Sequence, residues 1–186
     1  FSLPGTLTTP VGTGPFPAVV LVHGSGPNDR NETIGPNRPF QDLAWGLASR
    51  GIVVLRYEKR TRQYQGQITD LSGFTVDDET VDDALAAVRL LQSTAKVSPN
   101  RVYVLGHSLG GMVAPRIATR TAADGGRPAA GLVMMAANAR DLLSLMLEQV
   151  EYLARLDGTF SPAEQAQLQS VRTEVDRIRG GNLTAQ

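Results

Sequence analysis

Cysteine is absent from the 186 residues. That excludes a disulfide framework, a thiolate zinc site and a cysteine nucleophile, and it leaves the compartment open. Histidine is nearly absent as well, occurring only as His23 and His107. No apolar run approaches the ~18 residues of a bilayer-spanning helix, so no membrane partner is expected. Neither sign of charge dominates, with 18 basic against 18 acidic side chains. A balanced surface gives no electrostatic reason to bind nucleic acid or an anionic membrane. Neither G-x-G-x-x-G nor G-x-x-x-x-G-K-[ST] follows an apolar run, which removes the usual nucleotide-binding signatures. No metal or organic cofactor is implied by what remains. The opening FSLPGTLTTP has no basic start, apolar stretch or cleavage site, so no targeting segment is legible and the localisation stays unassigned.

What is present alternates. Short apolar β-branched runs at AVVLVH (18–23), IVVLRY (52–57), RVYVLG (101–106) and AAGLVMMAA (129–137) are separated by helical patterns. Continuous apolar strands alternating with amphipathic helices define an α/β fold with a mostly parallel sheet and flanking helices. One helix has Phe40, Leu43, Ala44, Leu47 and Ala48 on a common face, with Asn37 as its expected cap and Gly51 as its left-handed stop. A polar loop is expected from Glu58 to about Phe74. Thr75 and Asp78 then open a helix with Asp77, Asp78 and Glu79 in its first turn, an acid run explained by the helix dipole rather than by a metal. Pro115 lies within the helix that starts after Ser108 and is expected to remove a hydrogen bond and bend it. After Asn138 two helices follow without a strand between them, at 141–157 and from the capping box SPAE (161–164) onward. This divides the chain into core residues 1–139 and a helical cap at 140–180.

The chemistry is concentrated in two glycine-rich turns. Gly106-His107-Ser108-Leu109-Gly110 fits G-x-S-x-G between a strand and a helix. The serine of such an elbow sits in a strained turn, and small residues two before and two after it relieve the crowding. Its hydroxyl then stands at a helix N-terminus, where free N–H groups favour negative charge. The second turn, His23-Gly24-Ser25-Gly26-Pro27, follows the first buried strand. A backbone N–H from this loop, with that of the residue after the nucleophile, makes an oxyanion hole. Ser108 is the expected nucleophile, and the Ser25 and Leu109 amides are the expected donors, with Gly26 as the alternative to Ser25.

These motifs resemble the α/β-hydrolase superfamily. The stretch HGSGPNDRNETIGPNRPFQDLAWGLASRGIVVLRYEKR is similar to bacterial serine esterases related to acylaminoacyl and dipeptidyl peptidases. The resemblance implies a partial α/β-hydrolase fold, an outer antiparallel strand from FSLPGTLTTP, and a helical cap following a core strand. It also implies a triad in the order Ser, Asp or Glu, His, yet no histidine follows Ser108. The downstream acids Asp141, Glu148, Glu151, Asp157, Glu164, Glu174 and Asp176 all fall on or beside the two late helices, where surface charge explains them. His107 is expected to pack or bond locally and His23 to order the loop. The family's last two core strands, with the acid and histidine, are therefore expected beyond Gln186. The strand at 129–137 is then an open apolar edge that takes this missing C-terminal segment or another chain. The expected activity is hydrolysis of small carboxylic esters through an acyl-enzyme. The alternatives are an acyl-peptidase-like amide hydrolase and a catalytically incomplete hydrolase that binds a small molecule or partner.

Overall fold

The computed structural model describes residues 2–68, 72–123 and 126–181. Five strands form one sheet: β1 (Gly5–Thr8), β2 (Phe16–Val22), β3 (Val53–Tyr57), β4 (Val97–His107) and β5 (Gly131–Met135). Their order is β1-β3-β2-β4-β5, with β1 antiparallel to β3 and all other pairs parallel. The opening residues thus form the outer antiparallel strand that the family resemblance implies. The central run Ala18–Val22 is buried on both sides because alternate side chains leave opposite faces. Ala18, Val20 and Val22 pack with Val53, Leu55, Val104, Val88, Leu91 and Ile117. Val19 and Leu21 pack with Val54, Leu105, Phe40 and Ala44 on the other face. Each fully buried aliphatic side chain contributes about 1.5–3 kcal/mol, so the two-sided core fixes the register of the sheet.

Helices supply the second wall of each layer. α1 (Pro39–Ala48) brings Phe40 and Ala44 to one face, while α3 (Asp82–Ser93) and α4 (Leu109–Ala123) cover the other. The expected cap on α1 is not made: no side chain caps it, and Pro39 occupies its first turn. Asn37 instead exchanges backbone hydrogen bonds with Ile34, at 3.0 Å in both directions. Proline at the first helical position removes one orphan donor and fixes φ, which makes a side-chain cap less necessary. Gly51 (φ 85°) does close the helix, with its N–H on Ala48 O (3.1 Å) and that of Ile52 on Leu47 O (3.1 Å). That crossed pair is a Schellman close, and both Leu47 and Ile52 pack against the core.

The segment expected as a plain loop after Glu58 contains a short helix, α2 (Arg60–Gln63), placed by an Arg60–Asp83 pair in which Nη2 lies 2.7 Å from the carboxylate. Thr75 and Asp78 cap each other as expected: Asp78 Oδ2 accepts from Thr75 N (2.9 Å) and Thr75 Oγ1 (2.6 Å). The first turn after them, Asp77–Val81, is π-helical before α3 continues. β4 begins four residues earlier than its apolar pattern, and β5 is shorter than the apolar run 129–137. β5 lies at the sheet edge, and its Leu132, Val133 and Met134 are exposed to 37%, 49% and 46%.

The chain divides after Ala137 into two compact units. The second contains α5 (Leu142–Ala154) and α6 (Pro162–Arg179), which pack on each other. Asp141 caps α5 by accepting from Leu143 N (3.3 Å) and Ser144 N (2.9 Å), and the Ser161–Glu164 capping box opens α6. Arg172–Glu151 (3.3 Å) and Arg179–Asp141 (2.6 Å) tie the two helices. Among the described residues no helix is long and apolar enough to cross a membrane. Ile117 on α4 is fully buried in the larger core. Ile117→Ala is expected to lower the unfolding free energy by about 2–5 kcal/mol, measured by urea denaturation.

Candidate active site

Ser108 stands between the end of β4 and the start of α4 with φ 51°, a left-handed backbone for a non-glycine residue. Such a conformation costs on the order of 1–3 kcal/mol and persists only where the surroundings hold it. Here Ser108 N donates to Met135 O (2.9 Å), and Met112 N donates to Ser108 O (2.9 Å). The glycines around it are required by backbone contact. A Cβ on Gly110 would lie 2.3 Å from Val22 O, and one on Gly106 would lie 2.2 Å from Gly110 C. Gly111, which the five-residue motif does not include, is equally confined: its Cβ would lie 2.6 Å from Ala137 Cβ. The first turn of α4 therefore lies directly on the ends of β2 and β4.

The loop after β2 runs past the serine. A Cβ on Gly24 would lie 3.3 Å from Ser108 Cβ, so the Gly24 backbone and the Ser108 side chain are neighbours. Both polar groups of Gly24 are held. Its N–H donates to Glu32 Oε1 (2.6 Å), and its carbonyl accepts from Lys59 Nζ (2.7 Å) and Asn28 Nδ2 (3.1 Å). The Asn28 amide also donates to Ser25 O (3.0 Å) and Gly26 O (3.3 Å). Gly26 itself turns the loop with φ 87°. The amides of Ser25, Gly26 and Leu109 donate no hydrogen bond among the described residues. For Leu109 this is the ordinary condition of a first helical residue.

Polar side chains hold the loop's shape. Asp29 Oδ1 accepts from Asn31 N and Thr33 N, each at 3.0 Å, and Oδ2 accepts from Thr33 Oγ1 (2.7 Å). Partial burial pushes the Asp29 carboxyl upward, but the Thr33 and Asn31 hydrogen bonds outweigh it and hold it below the ordinary carboxylate value. Arg56 binds Asn31 Oδ1 from β3. Glu32 is buried (2% exposed) with φ 52°, and its second oxygen lies 3.0 Å from His107 Nδ1. The two atoms are not aligned as a hydrogen bond, and neither has a hydrogen-bond partner among the described residues. Lys59 is likewise buried (2%) and pairs with Glu79 at 2.8 Å.

Neither histidine is bonded to Ser108 among the described residues. His107 points to Glu32. His23 is 1% exposed and wedged between Phe40 and Tyr57, with ring centroids 5.3 and 5.2 Å away. Burial, reinforced by the charge of Lys59, holds its imidazole down to about 4, so it is neutral at pH 7. Six of the seven downstream acids have structural work. Asp141 and Glu164 cap helices, Glu148 pairs with Arg140, Glu151 with Arg155 and Arg172, Glu174 with Arg177, and Asp157 accepts from Thr159. Among the described residues no group of three His, Cys, Asp or Glu side chains converges as metal ligands would.

Glu32, Asn28, Lys59 and Glu79 are the residues that sequence reasoning does not reach. Asp29 with Asn31 and Thr33 two and four residues on is a readable turn signature. The contacts of Lys59 and Glu79 join segments far apart in the chain and follow no local period.

A strand–serine–helix elbow beside a glycine-rich loop at the ends of a parallel sheet defines a class, and the profile of the Alpha/beta hydrolase family matches residues 19–180. The chain belongs to that family. Among individual proteins, it is 55% identical over 163 residues to Esterase EstD of Thermotoga maritima, covering 88% of this chain and 37% of that protein. It is 31% identical over 126 residues to a probable 2-oxo-3-(5-oxofuran-2-ylidene)propanoate lactonase of Bradyrhizobium sp, covering 63% and 46% respectively. The chain thus spans less than half the length of these curated relatives. Among solved structures, Bacterial Heroin Esterase superposes with a TM-score of 0.56 at 22% identity, over 80% of this chain and 48% of that one. The 2,6-dihydroxy-pseudo-oxynicotine hydrolase does so at 0.55 and 22%, over 93% and 43%. Both similarities are of fold.

Two outcomes follow from this geometry. Gly110→Ala is expected to abolish soluble folded protein or lower its melting temperature steeply, because the new methyl meets the Val22 carbonyl and not a movable side chain. His23 has a folded value below its ordinary one, so the unfolded chain binds more protons between about 6.5 and about 4. Stability is therefore expected to fall as pH drops through that window. In urea titrations at pH 7 and 5.5, His23→Gln is expected to show a smaller pH difference than the parent.

Proposed function

We propose that this protein is a serine hydrolase of small carboxylic esters that works through an acyl-enzyme on Ser108. The observation that carries the proposal is the left-handed Ser108 at the start of α4, beside a loop whose Ser25 amide, like that of Leu109, donates no hydrogen bond among the described residues. In this reading Ser108 Oγ attacks the ester carbonyl carbon and passes its proton to a histidine base. The carbonyl oxygen, now negative, is held by the Ser25 and Leu109 N–H groups, aided by the positive end of α4. Collapse of the tetrahedral intermediate expels the alcohol, which takes the proton from the histidine. Water then repeats the sequence on the acyl-enzyme and releases the acid.

The base and its orienting acid are proposed to come from polypeptide outside these 186 residues. His23 is buried and neutral, His107 faces Glu32, and six of the seven late acids are engaged elsewhere. The relatives' greater length supports that reading, as does the open apolar edge of β5, which is proposed to receive the further strand. Residues 140–180 are read as the cap segment. An ester substrate is supported by relatives named for cleaving esters and a lactone, which is a cyclic ester.

The test uses the full-length protein with an aryl fluorophosphonate, an aryl acetate and an aminoacyl anilide. One adduct on Ser108 and ester hydrolysis are expected, and Ser108→Ala is expected to lower kcat by at least about 10³-fold. Anilide cleavage at a comparable rate would replace the ester reading with an amide one. A folded full-length protein that takes no adduct and turns over neither substrate would make it a binding protein.

A further inference from the structure

Burying an ammonium is costly unless it is paired and hydrogen-bonded. Lys59 is 2% exposed, and its Nζ has two partners: Glu79 Oε1 at 2.8 Å and Gly24 O at 2.7 Å. Glu79 balances the charge. Gly24 O is the more informative partner, because it belongs to the same peptide unit as the Ser25 N–H. A trans peptide is planar, and its C=O and N–H point in opposite directions. Whatever holds the oxygen therefore aims the amide.

The rest of the loop closes off other orientations. Asn28 Nδ2 donates to the same oxygen at 3.1 Å, and Lys59's own N–H donates to Asn28 O at 3.2 Å, joining the end of β3 to the loop. Glu32 takes the Gly24 N–H and so anchors the preceding peptide. The Ser25 N–H has no hydrogen-bond partner among the described residues, and Gly24 just before it neighbours Ser108. We propose that Lys59 is a positioning residue for the oxyanion hole, holding the Gly24–Ser25 peptide by its carbonyl so that the Ser25 N–H faces the developing oxyanion. A cation on the carbonyl also polarises the peptide and makes its N–H a stronger donor. Lys59 touches no reacting atom and acts only through this peptide. The inference rests on the reading of Ser25 as an oxyanion donor.

The experiment compares full-length wild type with Lys59→Met, Lys59→Arg and Asn28→Ala. Sites are counted by complete fluorophosphonate titration, so that misfolded molecules drop out. Steady-state constants are measured on an aryl acetate, and affinity on a trifluoromethyl ketone, whose serine adduct carries the oxyanion. Lys59→Met is expected to lower kcat per titrated site about 10- to 100-fold with KM within about twofold, since a misaimed donor loses part of what a deleted one does. The ketone should weaken by a similar factor, and Lys59→Arg should recover part of both. Asn28→Ala should show the same signature at smaller size, and it carries the test if Lys59→Met gives no titratable sites. An active wild type whose variants keep kcat and ketone affinity per site, or change only KM or melting temperature, overturns the role of Lys59 alone. A wild type with neither adduct nor turnover removes the ester-hydrolase reading itself, and this inference with it.

Discussion

The close approach of α4 to the ends of β2 and β4 is the constraint on which the rest of the site depends. Gly110 lies against the Val22 carbonyl and Gly106 against Gly110, with no room for a methyl group at either. Because the helix starts there and nowhere else, Ser108 must turn through a left-handed backbone to join strand to helix. The same contact brings the loop after Val22 alongside the serine. One steric fact thus sets the height of the hydroxyl, the position of the Leu109 amide and the nearness of Gly24.

Around that contact the chain spends an unusual amount of buried charge. Glu32 and Lys59 are both almost wholly enclosed, and they hold the two ends of one glycine, N–H and C=O respectively. Neither would be chosen for stability alone, since enclosed ions are seldom better than apolar side chains of similar volume. Their effect is geometric: a glycine-rich loop, which is flexible by itself, is fixed in a single arrangement.

Much of the fold is legible in the sequence because it is written in local patterns. The apolar runs of β2, β3 and β4, the Schellman glycine at 51 and the capping box at Ser161 each follow from residues within one element. The elbow and the loop are legible for the same reason, since G-x-S-x-G encodes a backbone contact at fixed spacing. What is not legible depends on residues distant in sequence. The partners of Lys59 lie 35 residues before it, at Gly24, and on the π turn at Glu79. Helix α2 is held by Arg60 reaching Asp83, a tertiary contact that no helical period announces. The missing cap at Asn37 shows the converse, a good local signal set aside because Pro39 and the Ile34 bridge already fix the helix start.

Glu32 illustrates how such a site constrains the evolution of its own loop. Its φ of 52° is one that glycine adopts freely and that a long side chain resists. The backbone alone would favour glycine at this position, while the Gly24 amide calls for a carboxylate. Selection for thermal robustness and selection for a well-formed loop therefore act on this residue in opposite directions. A drift toward the more comfortable backbone would unfasten Gly24 before it unfolded anything.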